Sequence, residues 1–120
     1  MRRIRTGKRG EDLAVAYLRK AGYQIVAQNY RCLYGEVDVI ALDGDTIVFI
    51  EVKSRKSETF GQPQEAVGRE KRKKLSRISL HYIQQKRLES CNARFDVIVV
   101  RMSPDGNQIE LIPNAFDLSV

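Results

Sequence analysis

Residues 35–55 read GEVDVIALDGDTIVFIEVKSR. Apolar, largely β-branched residues flank Asp43-Gly44-Asp45, the pattern of two strands joined by a tight turn. Glu36, Asp38, Glu51 and Lys53 stand among Val, Ile and Phe, where charge is out of place. Strand side chains alternate faces. Glu36 and Asp38 therefore share a face with Ile40 and Leu42, and Glu51 and Lys53 share one with Ile47 and Phe49. A turn at Gly44-Asp45 pairs Asp43 with Thr46 and sets Asp38 opposite Glu51. A turn at Asp43-Gly44 moves Glu51 opposite Glu36 and leaves it diagonal to Asp38. Either register keeps Asp38, Glu51 and Lys53 on one face within mutual reach. A three-residue turn would need a bulge to do so.

Outward from this hairpin, residues 7–21 have helical periodicity, with Thr6 as cap and Gly22 as stop. Ala14, Val15, Leu18 and Ala21 form the expected inward stripe. Residues 23–30 read as a strand and RCLYG as a connection. After the hairpin, SRKSETFGQPQ is a polar loop sequence. Residues 64–87 form a second helix, on which Val67, Leu75, Ile78, Tyr82 and Ile83 recur at helical spacing. RFDVIVV, 94–100, is a strand, SPDGN turns the chain, and QIELI returns as a short edge strand. The expected order is α-β-β-β-α-β-β, a mixed α/β layer fold. With 120 residues, 42% of them hydrophobic, and no composition break, the whole of 1–120 reads as a single domain.

No apolar run is long enough to span a bilayer, and no apolar segment follows the basic N-terminus as a secretory signal requires. The expected compartment is the cytoplasm. Cys32 and Cys91 lack zinc spacing and read as free thiols. The one histidine, His81, falls at a surface or boundary position of the second helix, which leaves little for a histidine-based mechanism. Twenty-one basic residues against fifteen acidic ones give a net charge of +6, compatible with a polyanionic partner.

Like charges opposed on a partly buried strand pair are destabilising, and desolvation of an unpaired ion costs on the order of several kcal/mol. A cation relieves both. Lys53 supplies part of it. A divalent metal supplies more, since paired carboxylates with a backbone carbonyl, here that of Val52, are the hard oxygen ligands Mg²⁺ prefers. Such an ion polarises a phosphate and lowers the pKa of its bound water, and Lys53 on the same face can offset the developing charge. Glu11 points inward on the first helix, where it requires a cation, a donor or a metal; stabilisation by the helix dipole is the alternative.

Asp38 followed by Glu51-Val52-Lys53 resembles the D…ExK core of the PD-(D/E)xK, restriction-endonuclease-like nucleases. Glu11 is similar to the helical glutamate of archaeal Holliday-junction resolvases, and Gln64 to a polar residue that many members place at the next helix. GKRGEDLAVAYLRKAGYQIVAQNYR, the hairpin, RFDVIVV and the terminal NAF resemble the bacterial YraN-like family over nearly the whole chain. The resemblance implies a restriction-endonuclease-like fold, a mixed central sheet flanked by helices. It also implies a Mg²⁺- or Mn²⁺-dependent endonuclease acting on DNA, branched or junction DNA included. Glu11, Asp38, Glu51, Lys53 and Gln64 are the implied catalytic residues, and Glu11, Asp38, Glu51 and Val52 the implied metal ligands. By the same analogy the protein is a homodimer. Val37 stands where the superfamily has the proline of its name.

The densest charge run, GREKRKKLSR, follows closely on the hairpin and its loop. Lys8, Arg9, Arg55, Lys56, Arg69, Lys71, Arg72, Lys73 and Lys74 are candidate phosphate contacts, DNA being favoured over RNA, against the ordinary reading of a solvated helix face. Lys8 and Arg9 oppose the dipole at their helix start. Two readings compete with a nuclease: a non-catalytic nucleic-acid-binding protein on the same fold, and a basic domain that docks on a protein. The last leaves Asp38 and Glu51 unexplained.

Overall fold

The hairpin forms in the first of the two registers. β2 (Gly35–Asp43) and β3 (Thr46–Lys56) run antiparallel with Asp43 opposite Thr46. Gly44 takes φ 61° in the turn, a conformation open to a residue without Cβ. The computed structural model describes residues 6–56 and 68–117. Around the hairpin lie α1 (Thr6–Lys20), β1 (Gln24–Cys32), α2 (Arg69–Gln85), β4 (Asn92–Ser103) and β5 (Gly106–Phe116).

The element order is α-β-β-β-α-β-β, as expected, and the five strands form one sheet in sequence order, β1 to β5. Neighbours pair antiparallel except β3 and β4, which pair in parallel from Thr46↔Asn92 to Lys56↔Met102. A parallel pair needs a crossover connection, and α2 lies within it.

The helices cover opposite faces. Ala14, Val15 and Leu18 of α1 pack on Val39, Ala41, Val48, Ile50, Ile98 and Val100. Leu75, Ile78 and Tyr82 of α2 pack on Ile40, Ile47, Phe49, Phe95, Val97 and Phe116. Strands covered on both faces are apolar at successive positions, which is why β3 and β4 read as near-continuous hydrophobic runs. Each such side chain, fully buried, contributes about 1.5–3 kcal/mol.

Several boundaries differ from the sequence reading. α1 is described from Thr6, which is already helical and so is not its cap, and Ala21 lies past the helix end and is exposed. α2 is described from Arg69 and ends at Gln85; Val67, Gln64 and most of the polar loop lie outside the described residues. β5 continues beyond QIELI to Phe116, whose ring stacks on Phe95 at 4.6 Å. That aromatic contact carries the strand past Pro113 and Asn114, where propensity would end it.

Candidate active site

The ladder between β2 and β3 ends at Val39↔Ile50. Asp38 and Glu51, which the register would set opposite one another, are therefore not ladder partners. The Asp38 carboxylate instead accepts the Val52 N–H at 2.8 Å. A side chain replaces the backbone acceptor, and from Glu51 to Lys56 the residue pairs of β3 are with β4. Val37 joins the α2-side core while Val39 joins the α1-side core. Strict alternation would put both on one face, so β2 departs from regular pleating around Asp38.

Glu51 is 6% exposed. Its Oε2 lies 3.3 Å from Lys53 Nζ and 3.0 Å from Lys71 Nζ. Lys53 comes from the same strand face and Lys71 from the first turn of α2. Three basic residues near the start of α2 (Arg69, Lys71 and Arg72) oppose its dipole, and the ion pair with Glu51 gives Lys71 a reason to be there. With the second helix read from residue 64, Lys71 fell inside it and stood out only as part of the basic run, weighed as a phosphate contact against a solvated helix face.

Glu11 is buried, as expected, and its Oε1 accepts the Asn29 amide at 2.9 Å. Because α1 is already helical at Thr6, Glu11 lies past the first turn, beyond the reach of the dipole explanation. Gly10 sets its depth: a Cβ there would overlap the Ser54 hydroxyl of β3. Asn29, at φ 54° within β1, was missed by sequence reasoning, although asparagine is among the few residues that enter this region readily.

The charges act on one another. Burial, then repulsion from Glu51, push the Asp38 carboxyl up to about 7; Glu11 adds to the rise, while the Val52 N–H and Lys71 oppose it. Burial above all, with the carboxylates of Glu51 and Glu11, thus disfavours the charged form of Asp38. Among the described residues no three of His, Cys, Asp and Glu converge on one metal position. The Glu11 carboxylate turns to Asn29, and that of Glu51 to its lysines. As a donor set, Asp38 and Glu51 with the Val52 carbonyl fit a hard divalent cation.

The basic candidates separate by position. Lys8 and Arg9 are exposed, Lys8 lying 3.4 Å from Asp12. Arg55 donates to the Ser54 carbonyl at 3.1 Å. Arg72 lies over the Phe116 ring, 5.7 Å from its centroid, a packing role the sequence reading did not give it. Arg69, Lys73 and Lys74 are exposed on α2, and the stem of Lys74 runs against Gly35. The Lys56 side chain and Gln64 lie outside the described residues.

Residues 10–100 match the family described as uncharacterised protein family UPF0102. A UPF0102 protein of Syntrophus aciditrophicus is 60% identical over 116 residues, 97% of this chain and 91% of that protein. One from Geobacter sulfurreducens is 48% identical over 94% of this chain and 89% of its own. One from Caldicellulosiruptor saccharolyticus is 44% identical over 97% and 100%. Among solved structures, SfsA of Pyrococcus furiosus in complex with Ca²⁺ aligns at TM-score 0.38 and 14% identity, over 90% of this chain and 62% of that one.

Proposed function

The chain belongs to the uncharacterised protein family UPF0102, and we propose that it is a divalent-metal-dependent endonuclease of restriction-endonuclease-like fold that hydrolyses DNA. The observation that carries this reading is the placement of two acids in an apolar sheet, Glu51 only 6% exposed and Asp38 where the β2–β3 ladder stops, its carboxylate accepting the Val52 N–H at 2.8 Å. The fold sustains an unbalanced acid pair that a purely structural role would have replaced with apolar residues.

Asp38, Glu51 and the Val52 carbonyl would hold Mg²⁺ or Mn²⁺, with Glu11 adding negative charge nearby. The ion, when bound, supplies Lewis-acid polarisation of a phosphate oxygen and a bound water of lowered pKa. The protein's own residues do the rest. The Val52 N–H fixes the Asp38 carboxylate in orientation. Lys53 and Lys71, both at Glu51, present positive charge where a phosphodiester gains negative charge in the transition state. The exposed cations of α2, with Lys8 and Arg9 on α1, supply sequence-independent contacts to the backbone of the nucleic acid.

The test is a panel of linear, nicked, flapped and four-way DNA with Mg²⁺ or Mn²⁺, run on wild type and Glu51→Ala. Cleavage of at least one substrate, lost in the variant, is expected. A panel left uncut with either metal overturns the reading. One observation favours a binding protein without activity: Lys53 and Lys71 already neutralise Glu51. That reading requires retention of DNA by wild type and by Glu51→Ala with no cut by either.

A further inference from the structure

The turn between β1 and β2 consists of Leu33 and Tyr34, with Cys32 paired to Gly35 across it. Two-residue turns favour Gly, Asn and Asp; a Leu-Tyr tip has no such conformational reason. Among the large hydrophobic side chains exposed in the described residues, Leu33 is the most exposed, at 81%, and Tyr34 beside it is 40% exposed. One exposed leucine requires no explanation. An aliphatic and an aromatic side chain adjacent at a hairpin tip form an unpartnered apolar point.

The point is braced. The Tyr34 ring meets the His81 ring edge-on, with centroids 6.0 Å apart. His81 Nδ1 lies 3.3 Å from the Tyr30 hydroxyl. Gly35, at φ 137°, rests on the Lys74 stem and Ile78, where a Cβ would stand 3.0 Å from Lys74 Cδ. The tip is thus seated on α2, the helix whose Lys71 reaches Glu51. Cations stand nearby: Lys74 lies against Gly35 next to the tip, Arg31 sits two residues before Leu33 and 3.6 Å from Glu36, and exposed Arg77 lies one turn before His81 on α2.

We propose that Leu33 and Tyr34 form a wedge that stacks on unpaired bases, directing the protein to DNA at a junction between paired and unpaired strands. An apolar tip with cations nearby matches a strand whose bases are splayed from a phosphate backbone: the bases take the apolar surface and the phosphates take the cations. A lipid surface or protein partner would take the apolar tip equally well, but neither accounts for the acid pair further along the same strand. The inference rests on the nuclease reading and adds a spacing to it. Asp38 lies on β2 four residues after Tyr34 of the turn, about 13 Å at about 3.3 Å per residue. At 3.4 Å per nucleotide along one strand, cleavage falls about four nucleotides from the fork.

The experiment titrates the full chain, in EDTA, against two DNAs of equal length: a duplex, and a forked duplex with 2-aminopurine at its first unpaired position. Wild type is expected to favour the fork and to change the 2-aminopurine fluorescence. Leu33→Ser with Tyr34→Ser is expected to lower the ratio of fork to duplex affinity about tenfold, within the range of one base–aromatic stack. Leu33→Ser alone, at the more exposed position, is expected to lower it about threefold and keeps the test valid if the double variant misfolds. A ratio of one in wild type, or a ratio unchanged in both variants, overturns the wedge; with cleavage intact, the nuclease reading survives that result. No binding to either DNA overturns the wedge and leaves the nuclease reading to the cleavage panel with metal. Self-association of wild type in sedimentation, abolished by Leu33→Ser without change in the ratio, also overturns the wedge and makes the tip a contact between copies.

Discussion

Asp96 and Asp38 are carboxylates within one sheet, and their surroundings treat charge in opposite ways. Asp96, 1% exposed on β4, accepts Arg94 Nε at 3.0 Å, Arg94 Nη2 at 3.3 Å, the Asn114 N–H at 2.9 Å and the Tyr23 hydroxyl at 3.4 Å. Arg94 Nη2 also donates to Asp43 at 2.9 Å and to the Tyr23 hydroxyl at 2.7 Å. The hydrogen bond it donates to Asp96 pushes the Arg94 guanidinium further up, holding it charged. Strands β2, β4 and β5 and the connection before β1 are tied together, and a guanidinium directly faces the buried carboxylate. At Asp38 a backbone N–H is the donor, two more acids lie near, and the lysines face Glu51. Burial of a charge therefore does not by itself mark a functional site. What separates the two is whether the neighbours neutralise it.

The largest expected effect breaks the balanced cluster. Asp96→Ala removes the buried acid and leaves the half-buried Arg94 with only the more exposed Asp43 as its ionic partner. The cost of losing one member of a buried ion pair is about 3–5 kcal/mol, read as a shift in the denaturant midpoint at unchanged slope. A cost below about 1 kcal/mol, the range of exposed pairs, would erase the contrast between the two sites.

The next effect has the opposite sign. In the folded protein Asp38 keeps its proton up to about pH 7, against 3.8 for the ordinary carboxyl. Between those values the folded state binds more protons than the unfolded one, so stability falls as pH rises through the window. Asp38→Asn removes the charge and keeps an oxygen for the Val52 N–H. In metal-free buffer at pH 8 it is expected to stabilise by about 2 kcal/mol, less than the shift converts to at 1.36 kcal/mol per unit, with no gain near pH 4. Destabilisation at pH 8 would place Asp38 with Asp96, as a structural acid.

The hairpin was legible because period-2 patterning and a glycine-containing turn agree, but a two-residue turn left two registers open, and the structure takes the one with Asp43 opposite Thr46. Asp38, Glu51 and Lys53 were legible for the same reason: charge on an apolar face is a local anomaly. Glu11 was legible as inward, since helical periodicity fixes its face, but the dipole alternative fell only when α1 was seen to be helical already at Thr6. Lys71 as partner of Glu51, and the Asn29 amide at Glu11, were not legible. Both contacts depend on how a helix sits on a strand far away in sequence, which no local pattern encodes. Nor did the sequence mark Arg94 and Asp96 as a cluster. Asp43, Tyr23 and Asn114 converge on them from three other segments, and each alone reads as an ordinary turn or edge residue. Parallel pairing of β3 with β4 was out of reach as well, since pairing partners follow from the crossover and not from the strand's own residues.

The smallest effect sharpens the comparison most. Lys71 is 41% exposed at its side chain, and Lys71→Gln is expected to change stability by less than about 1 kcal/mol, as partly solvated ion pairs do. Yet Lys71 is among the groups that hold the Asp38 carboxyl down. Its removal should raise the Asp38 midpoint further, visible as an upward move of that carboxyl carbon in an NMR titration. Lys8→Gln, which breaks an exposed pair with Asp12, should match it in stability and leave the Asp38 midpoint in place. If the two variants behave alike at Asp38, Lys71 is a surface cation that happens to lie near. If they differ, the acid pair and the basic helix form one electrostatic unit, and the cations of α2 act on the site as well as on a phosphate backbone.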